Sequence, residues 1–225
     1  MPLKRSTSTA HAVASPAPNE RVRPPQQERG ERRVEAILDA AAALIVEGGA
    51  ESLTVQALAD QAQTSKGSLY HFFPDLRAVL CALGERHTSA LRALASEMIA
   101  DEGIAWSTLS LDAVIDRFLA PLCYLEQHPD LLALARMPSM VDHSTRRLTP
   151  YRDLAAHILA QRCGALPPAQ RLAAAGAMVA IVDGVVGYGL RSDDVRPAQM
   201  MTELRRALCA YLNALDVCRR DSASS

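Results

Sequence analysis

The sequence predicts an all-α protein of about nine helices, an N-terminal three-helix unit followed by a C-terminal helical bundle. Three observations carry that prediction. Hydrophobic residues make up 49% of the 225-residue chain and aromatics only 4%, with alanine and leucine, which lose little on entering a helix, in the majority. Apolar residues recur at three- and four-residue spacing along most of the chain. Strictly alternating runs of Val, Ile and Thr, the mark of strands, are missing.

The helices follow in order. Residues 1–28 mix Pro, Ser, Thr, Ala and Arg without period, which reads as a disordered arm carrying Lys4, Arg5, Arg21 and Arg23. From Glu31, Val34, Ile37, Leu38, Ala41, Leu44 and Ile45 form one apolar helical stripe, stopped by Gly48-Gly49. Thr54 can cap a short second helix with Val55, Leu58 and Ala59, and Ser65 a third with Leu69 and Phe72 facing inward. Pro74-Asp75 starts a long fourth helix through Leu76, Val79, Leu83, His87, Leu91 and Met98, broken at Asp101-Glu102-Gly103. One helix is expected over 111–127, kinked at Pro121, and a short one over 131–137. Thr149-Pro150 opens the next, Ala169 begins another running to about Leu190, and Pro197 begins the last.

Composition excludes several classes. Net charge is −1, so bulk electrostatics does not announce nucleic acid. The five cysteines are scattered without a CxxC pair, which argues against zinc or a disulfide framework and for core fillers in a reducing cytosol. Charges or prolines interrupt every apolar run, so no membrane span is expected. The N-terminus lacks the apolar core of a secretory signal. No cofactor or metal motif is found.

The most specific stretch is 53–73, LTVQALADQAQTSKGSLYHFF. Two short helices joined by a three- or four-residue turn make a helix-turn-helix. Ala59 and Ala62 are small enough for the helices to cross closely, and Leu58, Leu69 and Phe72 seal the joint. The second helix is then free to enter a major groove, N-terminus first. There Ser65 and Ser68 are short donors, Lys66 is a cation, Gly67 allows close approach, and Tyr70 and His71 can donate to phosphate. Residues 61–74 hold one basic residue and no acid, whereas 29–86 hold six Arg/Lys against eight Asp/Glu. DNA affinity would rest on this locally acid-free face.

The pattern TV-x-x-LA-x-x-A-x-x-SKGSLYHFFP, behind a helix ending in Gly48-Gly49, resembles the N-terminal domain of TetR-family regulators from Glu31 to about Leu91. The resemblance implies a first helix that braces the motif, a third that reads the groove, and a fourth that links reading domain to sensor domain. It implies DNA contacts at Thr54, Thr64, Ser65, Lys66, Gly67, Ser68, Tyr70 and His71. Tyr70 and His71 would hold phosphates, which position without specifying, and Lys66 and Ser68 would read bases. Two positions depart from the family pattern. Gln63 stands where glycine is usual in the turn, and would be strained if φ there is positive. Leu76 stands where lysine is usual, with Arg77 as its substitute.

The expected organisation is therefore the arm over 1–28, a reading domain over 29–91 with its motif at 54–73, a ligand-binding and dimerisation domain over 92–217, and a flexible tail over 218–225. Gly176, Ala180 and Gly184 share a helix face. With Leu204, Leu208 and Tyr211 of the last helix they are candidates for a homodimer surface, close packing inside one protomer being the equal alternative. Candidate ligand contacts are Trp106, Phe118, Met137, His143, Tyr151 and Asp183, with Tyr124, Met140 and Tyr188 as further large side chains. A mainly apolar pocket would suit a hydrophobic small molecule. The expected function is a cytoplasmic, dimeric repressor of transcription that binds double-stranded operator DNA and is released by that effector. The alternative is a helical ligand-binding or interaction module that has lost DNA reading. An enzyme is not expected, since no nucleophile elbow, phosphate loop or paired metal ligands appear.

Overall fold

A computed structural model describes residues 25–137, 149–191 and 197–223. Among them there is no strand. The order is α1 (Pro25–Gly48), a 3-10 turn (Ala50–Ser52), α2 (Val55–Gln61), α3 (Lys66–Phe72), α4 (Leu76–Ala100), α5 (Leu111–Leu119), a second 3-10 turn (Ala120–Leu122), α6 (Cys123–Gln127), α7 (Pro129–Arg136), α8 (Thr149–Arg162), α9 (Pro168–Arg191) and α10 (Pro197–Ala223). The single helix expected over 111–127 is divided around Pro121, whose missing N–H and ring interrupt the α ladder. Helix α1 begins at Pro25 rather than Glu31, so 25–28 are helical and not part of an irregular arm. Proline suits a first helical position, and Glu28 lies in the first turn, where a carboxylate is favoured.

Local chemistry sets the helix starts. Thr54 Oγ1 accepts from the Ala57 N–H (3.1 Å), Ser65 Oγ from Ser68 N–H (3.1 Å), Asp75 Oδ1 from Ala78 N–H (2.7 Å) and Ser110 Oγ from Ala113 N–H (3.2 Å). Each satisfies an amide that the helix leaves unpaired, and each cap is worth about 1 kcal/mol.

Two large hydrophobic clusters form. The first joins α1 (Ile37, Leu38, Ala41, Ile45), the motif (Leu58, Ala62, Leu69, Phe73) and the start of α4 (Val79, Leu83) with Leu134 and Met137 at the end of α7. The second joins Trp106, α5, α8, α9 and α10 through Phe118, Leu154, Ile158, Met178 and Leu208. Helix α4 reaches both, with Val79 and Leu83 in the first and Ala95 in the second. A movement of α4 relative to either cluster is therefore felt by the other.

A buried polar group marks the middle of α4. His87 is 1% exposed and Asp130 of α7 is 6% exposed. His87 Nε2 lies 2.7 Å from Asp130 Oδ2, and Nδ1 lies 2.9 Å from Tyr124 Oη on α6. A carboxylate only accepts, so Nε2 carries the proton; in the neutral ring Nδ1 then accepts from the Tyr124 hydroxyl. Burial opposes ionisation of Asp130, yet the His87 hydrogen bond, a backbone N–H and the nearby Arg86 outweigh it and hold the carboxyl below its ordinary value. Arg86 itself reaches across to Glu35 (3.3 Å) and Asp39 (2.6 Å) of α1.

Helix α9 carries a long apolar run that Arg171 and Asp183 interrupt, as the sequence predicts. Over Pro168–Gly189 the mean hydropathy is 1.6, long and apolar enough to cross a membrane by length and composition. Only Arg171 and Asp183 are charged in it. Its Ala174, Ala175, Met178 and Val182 are nevertheless tied into the second cluster.

Candidate nucleic-acid interface

The motif folds around small and apolar residues. Leu58 is fully buried, and Ala59, Ala62, Leu69 and Phe73 nearly so. Phe72, expected to seal the joint, is half-buried beside Phe73, which takes the deeper place. The turn after α2 closes with Thr64 N–H donating to Ala59 C=O (2.9 Å) and Gln63 N–H to Asp60 C=O (3.1 Å). That pair of bonds is a Schellman ending, which demands a left-handed residue between. Gln63 supplies it at φ +50°, the one non-glycine residue with positive φ among the described residues. The strain expected from glutamine in this turn is thus present. Gln63→Gly should relieve roughly 1–2 kcal/mol of left-handed strain while costing about 0.5–1 in unfolded-chain entropy. A net gain of up to about 1.5 kcal/mol, some 3–6 °C in Tm at the upper end, is expected in thermal melts.

With its apolar side sealed, α3 turns the rest outward. Thr54, Ser65, Lys66, Gly67 and His71 are exposed, Tyr70 is 53% exposed, and Thr64 and Ser68 are half-buried. The sequence-predicted residues thus lie together along α3 and the start of α2. Thr54 and Ser65 spend an oxygen lone pair on their caps, leaving the hydroxyl hydrogen able to donate. The His71 ring stands edge-on to Phe72 at 5.0 Å, which holds it at the α3 end. The nearby acid Asp60 is held by the Gln56 amide (2.7 and 2.8 Å). Arg77 is exposed at the start of α4. Leu76 joins Ile45, Leu53, Leu80, Ala133 and Met137 along an apolar groove of about 730 Å³ between α1, α4 and α7.

The predicted ligand contacts are dispersed. Phe118 and Tyr151 come together with Leu119, Leu122, Val179 and Val182 around a small, wholly apolar cavity of about 20 Å³. Burial pushes the Tyr151 phenol up, so it stays protonated. Trp106 is fully buried in the second cluster and does not line that cavity. Met137 belongs to the first cluster, because α7 packs on α1. Asp183 is exposed on α9 and needs no buried partner, which removes the reason for choosing it. His143 and Met140 lie outside the described residues. Of the predicted dimer residues, Gly176, Ala180 and Gly184 lie on one side of α9, and a Cβ added at Gly176 or Gly184 would meet nothing within 4 Å. Close packing inside the protomer is therefore not what these small residues serve. Leu204 and Leu208 are fully buried in the protomer core and closed to a partner, while Tyr211 is half-buried. Sequence reasoning missed Leu172 and offered Tyr188 only as a ligand contact; they are exposed by 53% and 55% on α9. Their four-residue register with Gly176, Ala180 and Gly184 was the available signal.

Two family models match the chain: residues 37–83 that of bacterial regulatory proteins of the tetR family, and residues 110–212 that of the tetracyclin repressor-like C-terminal domain. Among solved structures, a TetR-family transcriptional regulator from Streptomyces coelicolor is similar at 26% identity and TM-score 0.58, over 81% of this chain and 99% of that one. A TetR transcriptional regulator from Rhodococcus sp. RHA1 is similar at 18% identity and TM-score 0.54, over 83% and 97%. A protein described as a gamma-butyrolactone receptor (ArpA like protein) is similar at 21% identity and TM-score 0.51, over 84% and 98%. No curated protein matches.

Proposed function

From a chain that belongs to the TetR family of bacterial regulatory proteins, we infer a homodimeric repressor that holds operator DNA and releases it when a small apolar molecule enters the C-terminal bundle. Family membership makes it a DNA-binding transcription regulator rather than an enzyme. The observation that carries the finer reading is the outward row of α3: donors and one cation, no acid, on a helix whose apolar side is sealed. Lys66 and Ser68 are assigned to base edges, and Ser65, Tyr70 and His71 to phosphates, with Thr54, Thr64, Gly67 and Arg77 bordering the contact.

A dimer is supported by α9. Leu172, Gly176, Ala180, Gly184 and Tyr188 make an open stripe at four-residue spacing. Two short reading helices on half-sites about 34 Å apart discriminate far better than one. An Ala180→Glu change sets two carboxylates into the proposed contact. It should shift sedimentation from dimer to monomer with helicity intact; a dimer that persists would remove this surface from the account.

The cavity at Phe118 and Tyr151 is the assigned effector site. At about 20 Å³ it holds little more than one water-sized probe, far below the size of ligand pockets. An effector must therefore bind an expanded arrangement of α5, α8 and α9. Linkage then requires that it change DNA affinity by the factor by which DNA changes its own. The test is a small-molecule panel, butyrolactones included, ranked by thermal stabilisation and followed by DNA titration with each hit. Weaker DNA binding with a hit supports release; hits that stabilise the protein while leaving DNA affinity unchanged refute it.

A further inference from the structure

The reading head has more acid than base, and most of its cations stand away from α3. Between residues 29 and 86 there are six Arg/Lys and eight Asp/Glu. Two of the six are already committed, Arg86 to Glu35 and Asp39, and Arg32 to Glu28 (3.7 Å). Arg29, Arg33, Lys66 and Arg77 form no ion pair among the described residues and are exposed. Lys66 and Arg77 flank α3 on the motif side.

Arg29 lies on the part of α1 that the sequence pattern did not predict, and Arg33 just inside the predicted part. That turn rests on α3: a Cβ at Gly30 would lie 3.9 Å from Phe72 Cε1. Phe72 is the last residue of α3, next to His71 and two from Tyr70. Arg29 precedes Gly30 and Arg33 follows it by three, so they are one turn apart on one flank. Glu35 and Asp39, which turn to α4, and Glu31 and Glu28 lie on other sides of the helix, while Arg32, three residues on from Arg29, neighbours it and is paired with Glu28. The flank carrying Arg29 and Arg33 has Gln26 and Ala36 as its other members and therefore no acid. Both side chains are long enough to extend past the α3 end.

We propose that Arg29 and Arg33 form a second phosphate clamp on double-stranded DNA, binding the backbone that runs past the C-terminal end of α3. They supply the sequence-independent attraction that the acidic reading head otherwise lacks. This rests on the DNA-binding reading but adds residues that neither the helix-turn-helix nor its caps contain. The chemistry is ionic and reads no base, so its signature is salt dependence and not specificity.

The experiment measures equilibrium binding of the full chain to a fixed duplex, and to a shuffled duplex, from low to moderate salt. Wild type, an Arg29→Gln/Arg33→Gln variant and an Arg32→Gln variant are compared. Each lost phosphate contact flattens the slope of log K against log salt by about 0.9. The double variant should lose roughly two such increments per protomer, weaken both duplexes alike, and keep its helicity and Tm. Arg32→Gln, beside Arg29 but already paired with Glu28, should leave the slope unchanged. An unchanged slope in the double variant overturns the clamp while leaving DNA binding intact, as does an equal loss in Arg32→Gln, which would mark mere net charge. Wild type that binds neither duplex at any salt overturns the DNA-binding reading itself, and the clamp with it.

Discussion

Replacing Asp130 with alanine is expected to destabilise the fold by about 1–3 kcal/mol, a sizeable share of the stability of an ordinary domain. The physical reason is the partner left behind. His87 is 1% exposed, and its Nε2 proton has Asp130 as its acceptor at 2.7 Å. Without the carboxylate a buried donor loses its bond, and the joint between α4 and α7 loses its polar tie. Asp130→Asn should cost less, since an amide oxygen can still accept. The pair also gives stability a direction in pH. The Asp130 carboxyl is held below its ordinary value in the folded state, so its contribution is complete above the unfolded value. It is lost as pH falls, from roughly pH 5 downward, when the native state resists a proton that the unfolded chain accepts. Urea melts across that range should show a steep acid loss in the wild type and a shallower one in Asp130→Asn. Equal slopes would contradict the assignment.

Lys66→Glu is expected to weaken specific DNA binding by at least tenfold to a hundredfold, the loss of one good base contact being worth about 1–3 kcal/mol before repulsion is counted. Lys66 is exposed at the first position of α3, on the stretch with no other cation and no acid. A carboxylate there faces the phosphates and the acceptor-rich edge of guanine. Fold should be unaffected, because Lys66 contributes to neither hydrophobic cluster. Fluorescence anisotropy with a selected duplex measures the effect, and circular dichroism checks the fold. Retained affinity would mean that α3 does not enter the groove by its N-terminus.

Much of the fold was legible because it rests on local chemistry. The caps at Thr54 and Ser65, the break at Pro121 and the stripe from Val34 to Ile45 are all set by residues within a turn or two of one another. Gln63 at φ +50° follows from the same kind of local constraint. What escaped depends on which elements meet. The start of α1 was hidden because Pro25, Gln26 and Gln27 carry no apolar stripe, although proline at a first position was a signal. Asp183 has apolar sequence neighbours, yet helical period turns it outward while Val182 turns inward. Met137 joined the first cluster because α7 folds back on α1, and Leu204 and Leu208 were enclosed because α10 lies against α5. The His87–Asp130 pair spans 43 residues, and neither residue carries a local mark of the other.

The central claim is that α3, presented by this fold, reads a DNA sequence. The most direct test is to select from a random duplex pool with the purified full chain at moderate salt, then sequence what is retained. The account predicts enrichment of one motif made of two inverted half-sites about one helical turn apart, bound by wild type and lost by Lys66→Glu. A pool that emerges without any enriched motif, from protein that is folded and dimeric, would contradict it.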